Sequence, residues 1–173
     1  FLFYRSWDLI LGWGKINTDS FGISMIWAFL ANLFILGAFA FAGFAWPTYR
    51  LLTVKYYRIQ SPKALQDLSK KGGVPLFQKF LLATFWRSKK QRKDYFDGTK
   101  AGIENWIIES KKSEFGHLIP FLILTGLSIW SVFSGNIELA FLTQFMNVFA
   151  NLYPVLLQRT HRARIQKFSE RMK

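Results

Sequence analysis

Residues 24–46 hold no Lys, Arg, Asp or Glu, and Met25, Ile26, Trp27, Phe29 and Leu30 lead into Leu33, Phe34, Ile35 and Leu36. At ~1.5 Å rise per residue the run spans roughly 34 Å as a helix, enough for a hydrocarbon core of about 30 Å with some tilt. Residues 115–134 repeat the pattern through Leu118, Ile119, Phe121, Leu122 and Ile123, again without a charged side chain other than an ionisable His117. Residues 137–157 form a third run with one acid, Glu138, at its rim. Three such runs exclude a simple soluble domain. The fold class expected is an all-α integral membrane protein: three transmembrane helices joined by a basic loop that contains interfacial amphipathic helices, the 173 residues making one membrane domain.

Charge then orients the spans. The chain carries 23 Lys plus Arg against 10 Asp plus Glu, a net charge of +13, on a background that is 51% apolar. Residues 47–114 hold 15 of those bases against 6 acids, and residues 158–173 hold 6 against Glu170. Because basic loops are retained on the cytoplasmic side, the loop and the tail are expected inside a bacterial cytoplasmic membrane, the turn at Ser134, Gly135 and Asn136 outside, the N-terminus out and the C-terminus in. The bases attract anionic lipid at about 1 kcal/mol each near the surface. A second use is binding an anionic acyl donor, for which the cluster Arg87, Lys89, Lys90, Arg92 and Lys93 is the natural place. Nucleic acid is not an expected partner, since the aromatics are not interleaved with the bases on a solvent face. The first residues, 1–10, contain Arg5 and Asp8 with no small-residue cleavage pattern and do not read as a signal peptide.

The loop has helical content of its own. Residues 75–86 are too short to span and are flanked by bases, and helical spacing places Phe77, Leu81 and Phe85 on one side with Lys79 away from them, as in a helix lying in the headgroup layer. A second helix is expected over residues 99–115, opening after the Asp97-Gly98 turn and closing near Gly116. Trp46, Tyr56, Tyr57, Trp86 and Trp106 are candidate interface anchors.

Polar side chains inside the apolar runs are the functional signal. At ~100° per residue, Gln144, Asn147, Asn151, Pro154, Gln158 and Arg162 fall in one sector of roughly 80°. An uncompensated amide in hydrocarbon costs several kcal/mol, so this stripe must face protein or a polar cleft. Pro154 is expected to bend the helix and free a carbonyl near Ala150. Interhelical amide bonds and a substrate cleft both satisfy the stripe. In the first span Asn32 is the one strongly polar residue, beside small residues suited to close helix approach. At the inner mouth of the second span, Glu114 precedes His117 by three residues, near enough on a helix to orient the imidazole, and Glu109 lies further back. Such a His can accept a hydroxyl proton near neutral pH, although a hydrogen-bonded structural His fits the same pattern.

Other chemistry is missing from the sequence. There is no cysteine, no Gly-x-Ser-x-Gly, no His-Glu-x-x-His, no Walker loop, no dinucleotide fingerprint and no His-x4-Asp. His117 and His161 are the only histidines, so no metal centre and no cofactor are expected.

Two stretches resemble the glycosyl-4,4'-diaponeurosporenoate acyltransferase family, small membrane enzymes that attach a fatty acyl chain to the sugar of a glycosylated carotenoid. IESKKSEFGH at 108–117 resembles its pattern of Glu, four residues, Glu, two residues, His; ANLYPVLLQRTHRAR at 150–164 resembles its Ala-Asn, apolar run with Pro, Gln-Arg and Arg-x-Arg, with His161 where the family pattern has Asn. The basic stretch 87–98 is looser support. The resemblance implies acyl transfer from a thioester donor, a coenzyme or a carrier protein, to a membrane lipid or glycosylated carotenoid. It implies His117 as general base oriented by Glu114 or Glu109, with Asn151, Gln158 and Arg159 positioning the thioester or its oxyanion. Arg162 and Arg164 then hold a phosphate or headgroup, spans two and three cradle the apolar acceptor, and Asn147 of the polar stripe is a further substrate-binding candidate. The competing expectations are a noncatalytic small subunit of a larger membrane complex, and a lipid- or pigment-binding membrane protein. Three spans enclose little interior, which favours a homo-oligomer or a host complex.

Overall fold

The computed structural model describes residues 1–16, 20–84 and 100–171, with side chains at 100, 101 and 168–171 left aside. The described chain is 89% helical without a strand, and three of its helices are long and apolar enough to cross a membrane. It is an all-α integral membrane protein. The helices are α1 (Leu2–Gly12), α2 (Phe21–Ala45), α3 (Val54–Tyr57), α4 (Pro62–Lys71), α5 (Val74–Thr84), α6 (Lys100–Phe133), α7 (Ile137–Asn147) and α8 (Tyr153–Arg171). A π-helical turn, Val148–Leu152, joins α7 to α8. Two compact units result, one from residues 1–48 and 115–154, the other from residues 49–114 and 155–173.

In the first unit, Ser20 caps α2 by accepting from the Ile23 amide at 3.4 Å. Ala28, Ala31, Ile35, Ala38 and Ala42 then recur every three or four residues as its buried stripe, the small side chains letting other helices come close. Gly116 of α6 marks one such approach, since a Cβ there would meet the Phe39 carbonyl oxygen at 3.9 Å. Asn32 is accommodated by donating to the carbonyls of Ala28 at 2.9 Å and Thr143 at 3.3 Å. Trp13, Leu124, Leu127, Leu139 and Leu142 complete the core. Phe29, Phe41, Phe44, Phe133 and Phe141 are exposed, an arrangement suited to lipid contact.

The helix expected over 99–115 and the span expected over 115–134 are one continuous helix, α6, which passes through Gly116 and Pro120 without ending. Both residues are buried, and a packed apolar environment leaves the backbone little alternative to helical bonding. At the far end of α6, Gly135 at φ +79° stops it: the Gly135 amide bonds the Val132 carbonyl and the Asn136 amide the Ser131 carbonyl, a Schellman closure. The span expected over 137–157 is interrupted once. Pro154 has no N–H for the Ala150 carbonyl, and in the turn before it the Tyr153 amide reaches back five residues to Val148. The bend expected at Pro154 is realised as this π turn.

The N-terminal segment, unassigned from sequence, forms α1 and ends in Trp13, whose indole N–H is shared between Ser131 Oγ at 2.8 Å and the Leu127 carbonyl at 3.1 Å. In the second unit, Gln166 of α8 forms a two-bond bridge with the Ile59 backbone, and Ser69 of α4 bonds Thr160 at 2.9 Å. The interfacial helix expected over 75–86 is α5; Leu76, Phe80 and Leu82 are exposed, while Phe77 and Leu81 are half-buried. Phe85, Trp86 and the cluster Arg87, Lys89, Lys90, Arg92 and Lys93 lie outside the described residues, as does the Asp97-Gly98 turn. Replacing Trp13 with Ala removes a fully buried side chain and its two hydrogen bonds, and should cost about 3–5 kcal/mol, read as a lowered thermal unfolding midpoint of the detergent-solubilised protein.

Candidate functional site

Two polar clusters occupy helix surfaces that should otherwise be apolar. The first belongs to the first unit and is a chain of amides ending on an imidazole. Asn147 and Asn151 have no solvent exposure. Asn147 Nδ2 donates to the Phe121 carbonyl at 3.0 Å and to Thr125 Oγ1 at 3.2 Å. Asn151 Nδ2 donates to Asn147 Oδ1 at 2.9 Å, and His117 Nδ1 stands 3.3 Å from Asn151 Oδ1.

The direction of this chain follows from its far end. A peptide carbonyl only accepts, so Phe121 requires the NH₂ of Asn147, which turns Oδ1 of Asn147 toward Asn151. Asn151 must then present its own NH₂ to Asn147 and its Oδ1 to the ring. The proton between them therefore resides on His117 Nδ1, and Nε2 keeps its lone pair. This tautomer is assigned from the hydrogen-bond network.

The second cluster belongs to the second unit and is built on Glu114, which has no solvent exposure. Its Oε1 accepts from the Tyr56 hydroxyl at 2.8 Å and from Arg159 Nη1 at 3.0 Å, and its Oε2 accepts from Arg162 Nη2. Arg162, itself buried, also gives Nη1 to Ser110 Oγ at 2.9 Å. The guanidinium of Arg159 lies over the Tyr56 ring and that of Arg162 over the Tyr57 ring, at 5.1 and 5.3 Å from the centroids. One carboxylate thus faces two guanidinium groups, leaving the cluster formally positive. Tyr57 is buried and its hydroxyl has no hydrogen-bond partner among the described residues. Burial pushes its pKa up to about 12, opposed by the nearby Arg162 charge.

Every candidate residue from the sequence can now be placed. His117, Asn151 and Asn147 are brought together. Glu114 sits one turn before His117 along α6, but its oxygens go to Tyr56, Arg159 and Arg162, while the ring turns to Asn151. Glu109 pairs with Lys112 at 2.6 Å, both side chains partly exposed. Gln158 Nε2 donates to Ser113 at 3.3 Å. Arg164 is exposed, and His161 packs its ring beside Trp106 at 5.6 Å. Tyr56 and Tyr57, read from sequence as interface anchors, instead form the aromatic bed of the two arginines. Ser110 lay inside the motif at 108–117 without a role of its own, and Thr125 carried no sequence signal. Among the described residues no group of His, Asp or Glu could hold a metal.

A model of the glycosyl-4,4'-diaponeurosporenoate acyltransferase family matches residues 53–171. The chain belongs to this family. The family match begins well before the motifs at 108–117 and 150–164, and takes in Tyr56, Tyr57 and every partner of Glu114. No curated protein and no solved structure matches the chain.

Two substitutions separate the charged and neutral parts of the second cluster. Glu114→Gln strands two guanidinium groups and should cost about 3–5 kcal/mol, whereas Tyr57→Phe removes a hydroxyl without a partner and should be close to neutral. The tyrosine also sets a pH window. With a folded pKa of about 12 against 10.0, its contribution is complete below pH 10 and is lost as pH rises toward 12, because the unfolded chain ionises first. Thermal unfolding measured across that window should fall less steeply for Tyr57→Phe than for the natural protein.

Proposed function

We propose that the chain is a membrane acyltransferase that moves a fatty acyl group from a thioester, carried by a coenzyme or a carrier protein, to a sugar hydroxyl of a glycosylated carotenoid or a related glycolipid. The observation that carries this reading is the His117–Asn151–Asn147 chain, which joins His117 of the motif at 108–117 to Asn151 of the motif at 150–164. His117 Nε2 takes the proton of the sugar hydroxyl as its oxygen attacks the thioester carbonyl. The tetrahedral oxyanion then collapses, the C–S bond breaks, and the proton held by His117 passes to the departing thiolate. The products are an ester and a thiol, and the imidazole returns to its starting form.

Asn151 and Asn147 act through His117 by fixing its tautomer, the part an oriented partner plays for a catalytic histidine generally. They are positioning residues in this scheme. Arg159 and Gln158, on the second unit, take part in binding the thioester donor. Glu114 holds Arg159 and Arg162 in place. Arg162 and Arg164 meet phosphate or headgroup, and Glu109 with Lys112 belongs to the basic cytoplasmic rim. The excess of bases over acids in residues 47–114 supports an N-out, C-in orientation in a bacterial cytoplasmic membrane, with anionic lipid at the loop.

The test is lipid extraction from cells that make the glycosylated acceptor, with and without this chain. The acylated product should appear only with it. His117→Ala should lower its formation by about 10²–10⁴-fold, the span expected for loss of a general base, and Asn151→Leu should give an intermediate loss at unchanged protein level. Undiminished acylation by His117→Ala would remove the imidazole from the mechanism.

A further inference from the structure

The second unit contains a cavity of about 590 Å³ that the scheme above touches only through Arg159. It opens beside the Glu114 cluster, with Arg159 and Tyr56 in its wall, and Lys55 and Arg58 facing it from the short helix α3 and the residue after it. Leu65 and Leu68 of α4 give it an apolar side. Among the described residues no acidic side chain lines it. Glu114, the carboxylate nearest to Arg159, is already shared between two guanidinium groups, so Arg159 brings unspent positive charge to the wall. That arginine is also held in place, by its bond to Glu114 and by the Tyr56 ring beneath it. Ser61 adds a hydroxyl that makes no cap bond to α4.

Those features select a ligand. Three bases, one of them rigidly oriented, suit a phosphate, for which a planar guanidinium offers paired donors. The volume falls in the range of organic ligand sites, larger than an inorganic ion requires. A concave wall with an apolar side accepts an uncharged arm attached to that phosphate. Exposed bases on a flat face would attract anionic lipid equally well without any of this shape.

We propose that this cavity receives the phosphate-bearing end of the acyl donor, a phosphopantetheine-type thioester, with the phosphate on Lys55, Arg58 and Arg159 and the arm along Leu65 and Leu68. The assignment rests on the acyltransferase reading for the identity of its ligand. It places donor recognition on residues outside the motifs at 108–117 and 150–164, apart from Arg159.

The test is equilibrium binding of a non-hydrolysable probe, S-hexadecyl coenzyme A thioether, to the full-length protein in neutral detergent. Two double variants make the same change in charge on exposed residues: Lys55→Glu with Arg58→Glu in the cavity, and Lys63→Glu with Lys70→Glu on α4 away from it. The cavity pair should weaken probe binding by about tenfold or more, and the α4 pair by less than about threefold. Equal losses from both pairs, or none from either, would overturn the proposal, since general surface charge then accounts for binding. Phosphatidylglycerol in mixed micelles should not displace the probe from the natural protein. Displacement that depends on Lys55 and Arg58 would make the cavity a headgroup site and also overturn it. Binding and turnover keep the two readings apart. Cavity-dependent binding without acyl transfer leaves the cavity standing and removes the enzyme, whereas transfer with an unchanged donor KM in the cavity pair removes the cavity and leaves the enzyme.

Discussion

A polar atom placed among apolar helices must find its partner within the protein. In the first unit that constraint acts on Asn147 and Asn151, which have no solvent exposure and whose amides each cost several kcal/mol if left unpaired in an apolar medium. Their solution is a chain that starts on a peptide carbonyl and finishes on His117. Because the first acceptor cannot be reversed, neither can the rest, and a packing requirement becomes a statement about where a proton resides. Pro154 contributes at the same place. By withholding an N–H it leaves the Ala150 carbonyl available, and the π turn that precedes it carries Asn151.

The second unit meets the same constraint with charge instead of amides. Burying Glu114 would be costly if it stood alone, and two guanidinium groups with a tyrosine hydroxyl occupy its oxygens. A buried ion pair of this kind is weak evidence for stability as such, because desolvation consumes most of the attraction. What it does provide is position: Arg159 and Arg162 are fixed between a carboxylate and aromatic faces. Fixed cations are what recognition of an anionic donor requires, since the cost of ordering them has already been met in folding.

Much of this was legible in the sequence because membrane burial leaves coarse marks. Apolar runs with at most one charged residue gave the three spans, the spacing of Asn147 and Asn151 placed them on one face, and Pro154 marked the departure from regular helix. The stripe found its partners within the protein on both sides of the π turn: Asn147 and Asn151 bond to Phe121, Thr125 and His117, and Gln158 and Arg162 to Ser113, Ser110 and Glu114, all residues of α6. Glu114 and His117 looked like a pair because they are one turn apart. Local spacing could not show that Tyr56, 58 residues earlier, and two arginines more than 40 residues later compete for the carboxylate. Helix α1 was invisible for a similar reason: Trp13 finds its partners 114 and 118 residues away, and no short-range pattern encodes that. The continuity of α6 was hidden by Gly116 and Pro120, which end helices in water far more readily than within a packed apolar bundle.

The central claim concerns a single proton, and nitrogen NMR of histidine-labelled protein reads it directly. With His161 replaced by Asn so that one imidazole remains, His117 should show Nδ1 as the protonated, pyrrole-type nitrogen and Nε2 as the bare, pyridine-type one. The Nδ1 proton should lose its hydrogen-bonded shift in Asn151→Leu. A spectrum with the proton on Nε2 and the lone pair on Nδ1 would contradict the account, because the amide chain would then run the other way and the nitrogen assigned to accept the hydroxyl proton would already carry one.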